Sequence, residues 1–168
     1  RDRTVGTWNE FFKEPSADAD RKKEIRSRLA RFLKLAFRGP VQDTTLDRYS
    51  AYVSAKLDQG VSWTDAMKKV ASATLSSPKF LYRTSSGDAA DAQFELASNL
   101  SFFLWASGPD EALLSLAEKG ELAKSEVLKA TVERMFADPK IERFLDTFPA
   151  QWMQPVSYTH LTLPTTIE

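Results

Sequence analysis

Between Glu95 and Asp110 the chain reads Glu-Leu-Ala-Ser-Asn-Leu-Ser-Phe-Phe-Leu-Trp-Ala-Ser-Gly-Pro-Asp, a helix with a hard stop. Leu96, Leu100 and Phe103 recur at i, i+4 and i+7, the spacing of one helical face, and are expected to point inward. Phe102, Leu104 and Trp105 make the last turn apolar all round, which predicts a helix end covered on several sides. Gly108 is expected to take the left-handed cap, and Pro109 cannot continue the helix. The same residues should start the next helix, with Ser107 or Gly108 as N-cap and Pro109 at the first position. Asp110 and Glu111 would then face the positive dipole end. Two helices joined by so short a turn should pack as a hairpin.

The rest of the chain repeats this grammar. From Ser16 to Gly39 the inward set is Ile25, Leu29, Phe32, Leu33 and Ala36, and Gly39-Pro40 stops the run. Its other faces carry Arg21, Lys22, Lys23, Arg26, Arg28, Arg31 and Lys34, either an anion-binding surface or a solvated face with snorkelling stems. Thr44 or Thr45 should cap a helix with Leu46, Tyr49, Val53 and Leu57 inward. Ser62 should cap another with Trp63, Ala66, Met67, Val70 and Thr74, ending before Ser77-Pro78. Lys79 to Arg83 reads as an apolar plug, and residues 84–92 as a small, polar linker. Beyond the opening stretch, Leu113, Leu114, Leu116 and Ala117 mark a short helix ending at Gly120. Leu128, Val132, Met135 and Phe136 mark one from about Ser125 to Ala137. Asp138-Pro139 starts the last, with Ile141, Phe144, Leu145, Phe148 and Trp152, which Pro149 should kink or divide. No sustained period-two alternation is present before the C-terminal tail. The expectation is all-α, with about six to eight short helices in an orthogonal or bundle-like arrangement.

Composition excludes several functions. The 23 basic and 23 acidic residues balance, which leaves no electrostatic footprint for nucleic acid or an anionic membrane. No apolar run approaches membrane-spanning length. With no Cys there is no disulfide, thiolate metal site or covalent haem attachment within these 168 residues. The lack of an initiator Met or signal peptide suggests a fragment of a longer chain. Val156 to Thr165 reproduces one translated frame of a transposon-end sequencing adapter, so the native sequence is expected to end near Gln154 and residues 155–168 to be non-native. That tail holds His160, the single histidine of the chain. The alternative is a genuine Thr-rich, strand-prone tail.

Four segments together resemble a known pairing. They are Leu35 to Val41, Leu75 to Arg83, Glu95 to Leu122, and Val132 to Met153, the last including Asp138-Pro139 and Gln151-Trp152. In that order they are similar to the paired planctomycete-type domains of unknown function that accompany cytochrome-c-like domains in large secreted proteins. The resemblance implies a first helical domain over residues 16–83 after a lead-in (1–15), and a truncated second one over 93–154. It further implies an extracellular or periplasmic setting and neighbouring domains of the parent chain as partners, plausibly one carrying haem c. No cofactor is expected on this segment itself. Gly39 stands where the family usually has a second Arg, Pro149 stands where a small residue is commoner, and the cysteine pair of some relatives is missing.

Few residues invite chemistry. Arg38 and Arg83 sit at the ends of apolar segments, where paired guanidinium groups could grip a carboxylate or phosphate ligand. The favoured reading is that each caps helix carbonyls or pairs with Asp43, Glu95 or Asp110, an ordinary structural use of the arginine fork. Glu95, Asp110 and Asp138 could supply paired carboxylates. Asp110 and Asp138 are better explained as helix-end residues, which leaves Glu95 as the weak catalytic candidate. Trp63, Trp105 and Trp152 are expected to be core rather than stacking platforms. No zinc, calcium or phosphate-loop pattern occurs, so no metal site is expected. The favoured reading is a non-catalytic helical scaffold or interaction module of a large exported protein. The alternative is a fragment of a polysaccharide-active or haem-linked enzyme whose site is completed elsewhere. Loss of packing partners would leave an apolar patch around Phe144, Phe148 and Trp152.

Overall fold

The structure, a computed structural model, describes residues 9–16, 19–82 and 89–153. Among these residues every regular element is helical and none is a strand, so the fold is all-α. A helical turn at residues 9–12 precedes α1 (Arg21–Phe37), α2 (Asp43–Asp58), α3 (Trp63–Leu75) and the short α4 (Pro78–Leu81). Then follow α5 (Ala89–Trp105), α6 (Glu111–Glu118), α7 (Ser125–Phe136), a 3-10 turn (Pro139–Ile141) and α8 (Glu142–Met153).

Capping explains most boundaries and corrects several expected ones. The Asp20 carboxylate accepts from the amides of Lys22 and Lys23 at 3.0 and 3.3 Å, so α1 begins at Arg21 rather than near Ser16. It ends one residue before the expected glycine: Arg38 itself is left-handed, with φ 57°. Neither Thr44 nor Thr45 caps α2. Its first turn closes on the Gln42 carbonyl, and Asp43 supplies the negative charge the dipole favours. Ser62 caps α3 as expected, accepting from the Asp65 amide at 3.2 Å and donating to the Asp65 carboxylate at 2.8 Å. Ser77 and Asp138 cap α4 and the 3-10 turn, each directly before a proline. The α8 helix runs undivided through Pro149.

Two separate cores result. The first gathers Phe11, Ile25, Leu29, Leu33, Val53, Trp63, Met67 and Val70 from the N-terminal turn and α1 to α3. The second gathers Ala97, Leu104, Trp105, Leu113, Ala117, Leu122 and Met135 from α5 to α7 and the loop after α6. Two arginines tie short helices onto the first core. Arg28 donates to the carbonyls of Glu10 and Lys13 at 2.6 and 2.5 Å. Arg38 donates to those of Phe80, Tyr82 and Lys79 at 3.0, 3.0 and 3.3 Å. Such donors satisfy carbonyls that a helix end leaves open. Consequently Lys79 to Tyr82 is no apolar plug. Phe80 is half-buried, but Leu81 and Tyr82 are exposed, because backbone bonds rather than side-chain burial hold the segment.

The α5–α6 joint also differs from its expected form. Ala106, not Gly108, is the left-handed residue, with φ 47°. Asp110 is the N-cap, accepting from the Leu113 amide at 2.8 Å, so Pro109 precedes the helix instead of opening it. The buried face of α5 is displaced too. Ala97, Ser98, Ser101, Leu104 and Trp105 are buried, while Leu96 and Leu100 are half-buried and Phe103 is exposed. Small side chains let the backbones approach, and the Ser101 hydroxyl is satisfied internally by the Ser98 carbonyl at 3.0 Å. On α7 the same shift places Thr131 with Met135 inside and leaves Phe136 exposed.

Candidate functional site

Four of the basic residues of α1, Arg26, Arg28, Arg31 and Lys34, are held in ion pairs and offer no free anion surface. Arg26 is paired with Asp43 at 2.8 Å and also with Asp47, and Arg28 with Glu24 at 2.7 Å. Arg31 and Lys34 reach across to the second core, meeting Glu111 at 2.5 Å and Glu118 at 2.7 Å. Hydrogen bonding to Asp47 holds the Arg26 guanidinium above its ordinary pKa, and bonding to Glu111 does the same for Arg31. Both groups therefore stay charged into the alkaline range.

A cleft of about 480 Å³ opens where the α1–α2 connection and α4 face α5. Phe37, Arg38, Lys79 and Tyr82 line one wall, and Asp91, Phe94, Glu95 and Asn99 the other. Two sequence candidates, Arg38 and Glu95, thus line the same cavity. Their states differ. Arg38 spends its guanidinium on three carbonyls and lies over the Phe102 ring at 5.8 Å, the helix-capping use weighed for it. Glu95 is partly buried, its Oε1 is shut off from solvent, and no hydrogen bond reaches that oxygen. Arg83 lies outside the described residues. Asp91 and Asn99 were missed as site residues. Their signal was present, since Asp91, Glu95 and Asn99 fall at i, i+4 and i+8 on one helical face.

Asp110 and Asp138 serve as caps, and Asp110 also pairs with Arg134 at 2.7 Å. Among the described residues no cluster of three or more His, Cys, Asp or Glu side chains could hold a metal ion. None of the described helices is long and apolar enough to cross a membrane.

A second surface lies at the far end of α5. Phe103 meets Phe144 edge-on, with centroids 5.1 Å apart; Phe144 stacks on Phe148 at 4.8 Å, and Phe148 on Trp152 at 6.1 Å. Trp152 is 75% exposed, whereas Trp63 and Trp105 are buried as expected, so the third tryptophan is not core. One-turn spacing along α8 aligns these rings, and Leu145 and Met153 beside them are exposed as well. Phe103 was missed as a member of the row because its spacing suggested the buried face.

Residues 24–85 match a family model described as PSD5, protein of unknown function (DUF1595). Residues 92–165 match one described as PSD4, protein of unknown function (DUF1592). The second match spans residues 156–165, the stretch that reads as translated adapter and that lies outside the described residues. No curated protein and no solved structure matches the chain. Two domains of unknown function therefore stand in tandem here, the α1–α3 core falling largely in the first match and the α5–α7 core in the second.

Proposed function

We propose that this pair of domains is a non-catalytic helical scaffold and interaction module of a larger exported protein. The observation that carries the reading is the aromatic row, with Trp152 stacked on Phe148 and 75% exposed at its outer end. Contiguous exposed aromatic surface of this kind is costly in water and marks a docking site. Its occupant is a neighbouring domain of the same parent chain, for which the resemblance offers a cytochrome-c-like domain carrying haem c, in an extracellular or periplasmic setting.

The test uses the parent protein with Phe148→Ser and Trp152→Ser together. Both positions face solvent, so helical content should be retained while docking of the adjacent domain is weakened, read by limited proteolysis between domains. Unchanged interdomain protection would overturn the docking surface. The enzyme reading makes the opposite prediction. A Glu95→Gln or Arg83→Ala variant of the parent that folds normally but loses a measured activity would replace the scaffold reading with it.

A further inference from the structure

We propose that the cleft between the two cores is a binding site for an organic cation, an alkylammonium or guanidinium group, with Glu95 as its counter-charge. The charged groups on its walls are not equivalent. Arg38 directs its donors at the carbonyls of Lys79, Phe80 and Tyr82, and so turns no free donor array toward an anion. The Lys79 ammonium lies 6.0 Å from the centroid of the Phe37 ring. Asp91 has interactions of its own. Glu95 is the contrast: its Oε1 is removed from water and receives no hydrogen bond among the described residues.

A carboxylate oxygen stripped of hydration incurs the full desolvation penalty unless a donor replaces the lost water. A guanidinium is the best-matched donor, because its fork can serve both carboxylate oxygens at once. An ammonium offers the same charge as a point. The other linings suit the same class. The rings of Phe37, Phe94 and Tyr82 border the cleft, and aromatic faces attract cations where water is thinned out. Asn99, one turn beyond Glu95, brings an amide oxygen that can accept from a remaining N–H. The volume of about 480 Å³ takes a group of side-chain size.

The source of the cation can be a peptide side chain or a free amine. The full chain is titrated with Nα-acetyl-arginine amide, with the uncharged isostere Nα-acetyl-citrulline amide, and with putrescine, following amide shifts by NMR. Saturable binding of the arginine probe in the millimolar range is expected. Tighter binding of the arginine amide than of putrescine points to a peptide-borne cation, and the reverse to a free amine. Glu95→Gln should weaken either by about tenfold, the effect of losing a hydrogen-bonded counter-charge. Asn99→Trp, on an exposed position of the same face, should block the cleft, and decides the matter if Glu95→Gln fails to fold. Phe148→Ser, on the aromatic row, should bind as the unaltered chain does, so failure of domain docking and failure of this site are separable. Equal binding of the citrulline amide, unchanged binding by Glu95→Gln, or no saturation with any probe would overturn the assignment.

Discussion

The indole Nε1 of Trp105 donates to the backbone carbonyl of Met135 at 3.1 Å, with both residues fully buried. This one bond fastens the last turn of α5 to the end of α7. The surroundings reinforce it: the Lys140 ammonium sits 4.5 Å from the Trp105 ring centroid, and Arg143 donates to the Trp105 carbonyl at 3.2 Å. Trp105→Phe keeps most of the ring but removes one donor from the Met135 carbonyl, which still accepts from the Asp138 amide at 3.3 Å, and should cost about 1 kcal/mol. Trp105→Ala adds a cavity and should cost about 4 kcal/mol. Urea denaturation measures both, and a phenylalanine variant as stable as the original would show that the bond is dispensable.

Ala106, next along the chain, holds φ 47° without the freedom of glycine. A left-handed alanine costs about 1–2 kcal/mol, and glycine returns part of that as unfolded-state entropy. Ala106→Gly should therefore stabilise the protein by up to about 1 kcal/mol. Ala106→Val should destabilise it, since a β-branched side chain fits this region worst. Thermal unfolding of the two variants should move in opposite directions.

Why the glycine lay two residues away is instructive about what a sequence displays. Helix type was legible, because Ser62 and Asp138 are strong caps and Pro40, Pro78, Pro109 and Pro139 are strong breaks, whereas Asp20 and Ser77 went unread as caps. The facing of α5 was not legible. The helix is apolar over much of its circumference, so the large residues Leu96, Leu100 and Phe103 outweighed Ala97 and Ser101, which are the fully buried ones. In the cleft, Glu95 and Arg38 could be singled out one at a time. That both would line one cavity without pairing with each other was not legible, because it depends on how two cores are set against each other. The aromatic row was half legible: Phe144, Phe148 and Trp152 share a spacing, but Phe103 joins them only through that packing.

Arg38 combines strain with capping, and the two can be separated. Arg38→Ala removes three carbonyl partners while keeping a side-chain carbon at φ 57°, and should cost about 2 kcal/mol. Arg38→Gly removes the same donors but relieves the backbone, so it should be less damaging than the alanine change by about 1 kcal/mol. Arg38→Lys keeps the charge without the fork and should not recover the loss. Hydrogen exchange should quicken at the amides of Phe80, Leu81 and Tyr82 in all three, since those groups close the α4 turn. Equal stability of the glycine and alanine variants would mean that the left-handed conformation is not held in the folded state.

The ion pairs that bridge the cores, Arg31 with Glu111 and Lys34 with Glu118, are short but exposed. Exposed pairs contribute about 0.2–1 kcal/mol each, so neither can be the main force holding the cores together. Glu111→Lys replaces attraction with repulsion at Arg31, and should lower stability by about 1 kcal/mol in dilute buffer. About 1 M salt shortens the screening length to roughly 3 Å and should erase much of that difference. The combined Arg31→Glu and Glu111→Lys variant restores opposite charges and should recover most of the loss, which isolates the pair from either residue's other contacts. If instead the single reversal separates the cores outright at any salt concentration, the pairs are the principal clamp between them.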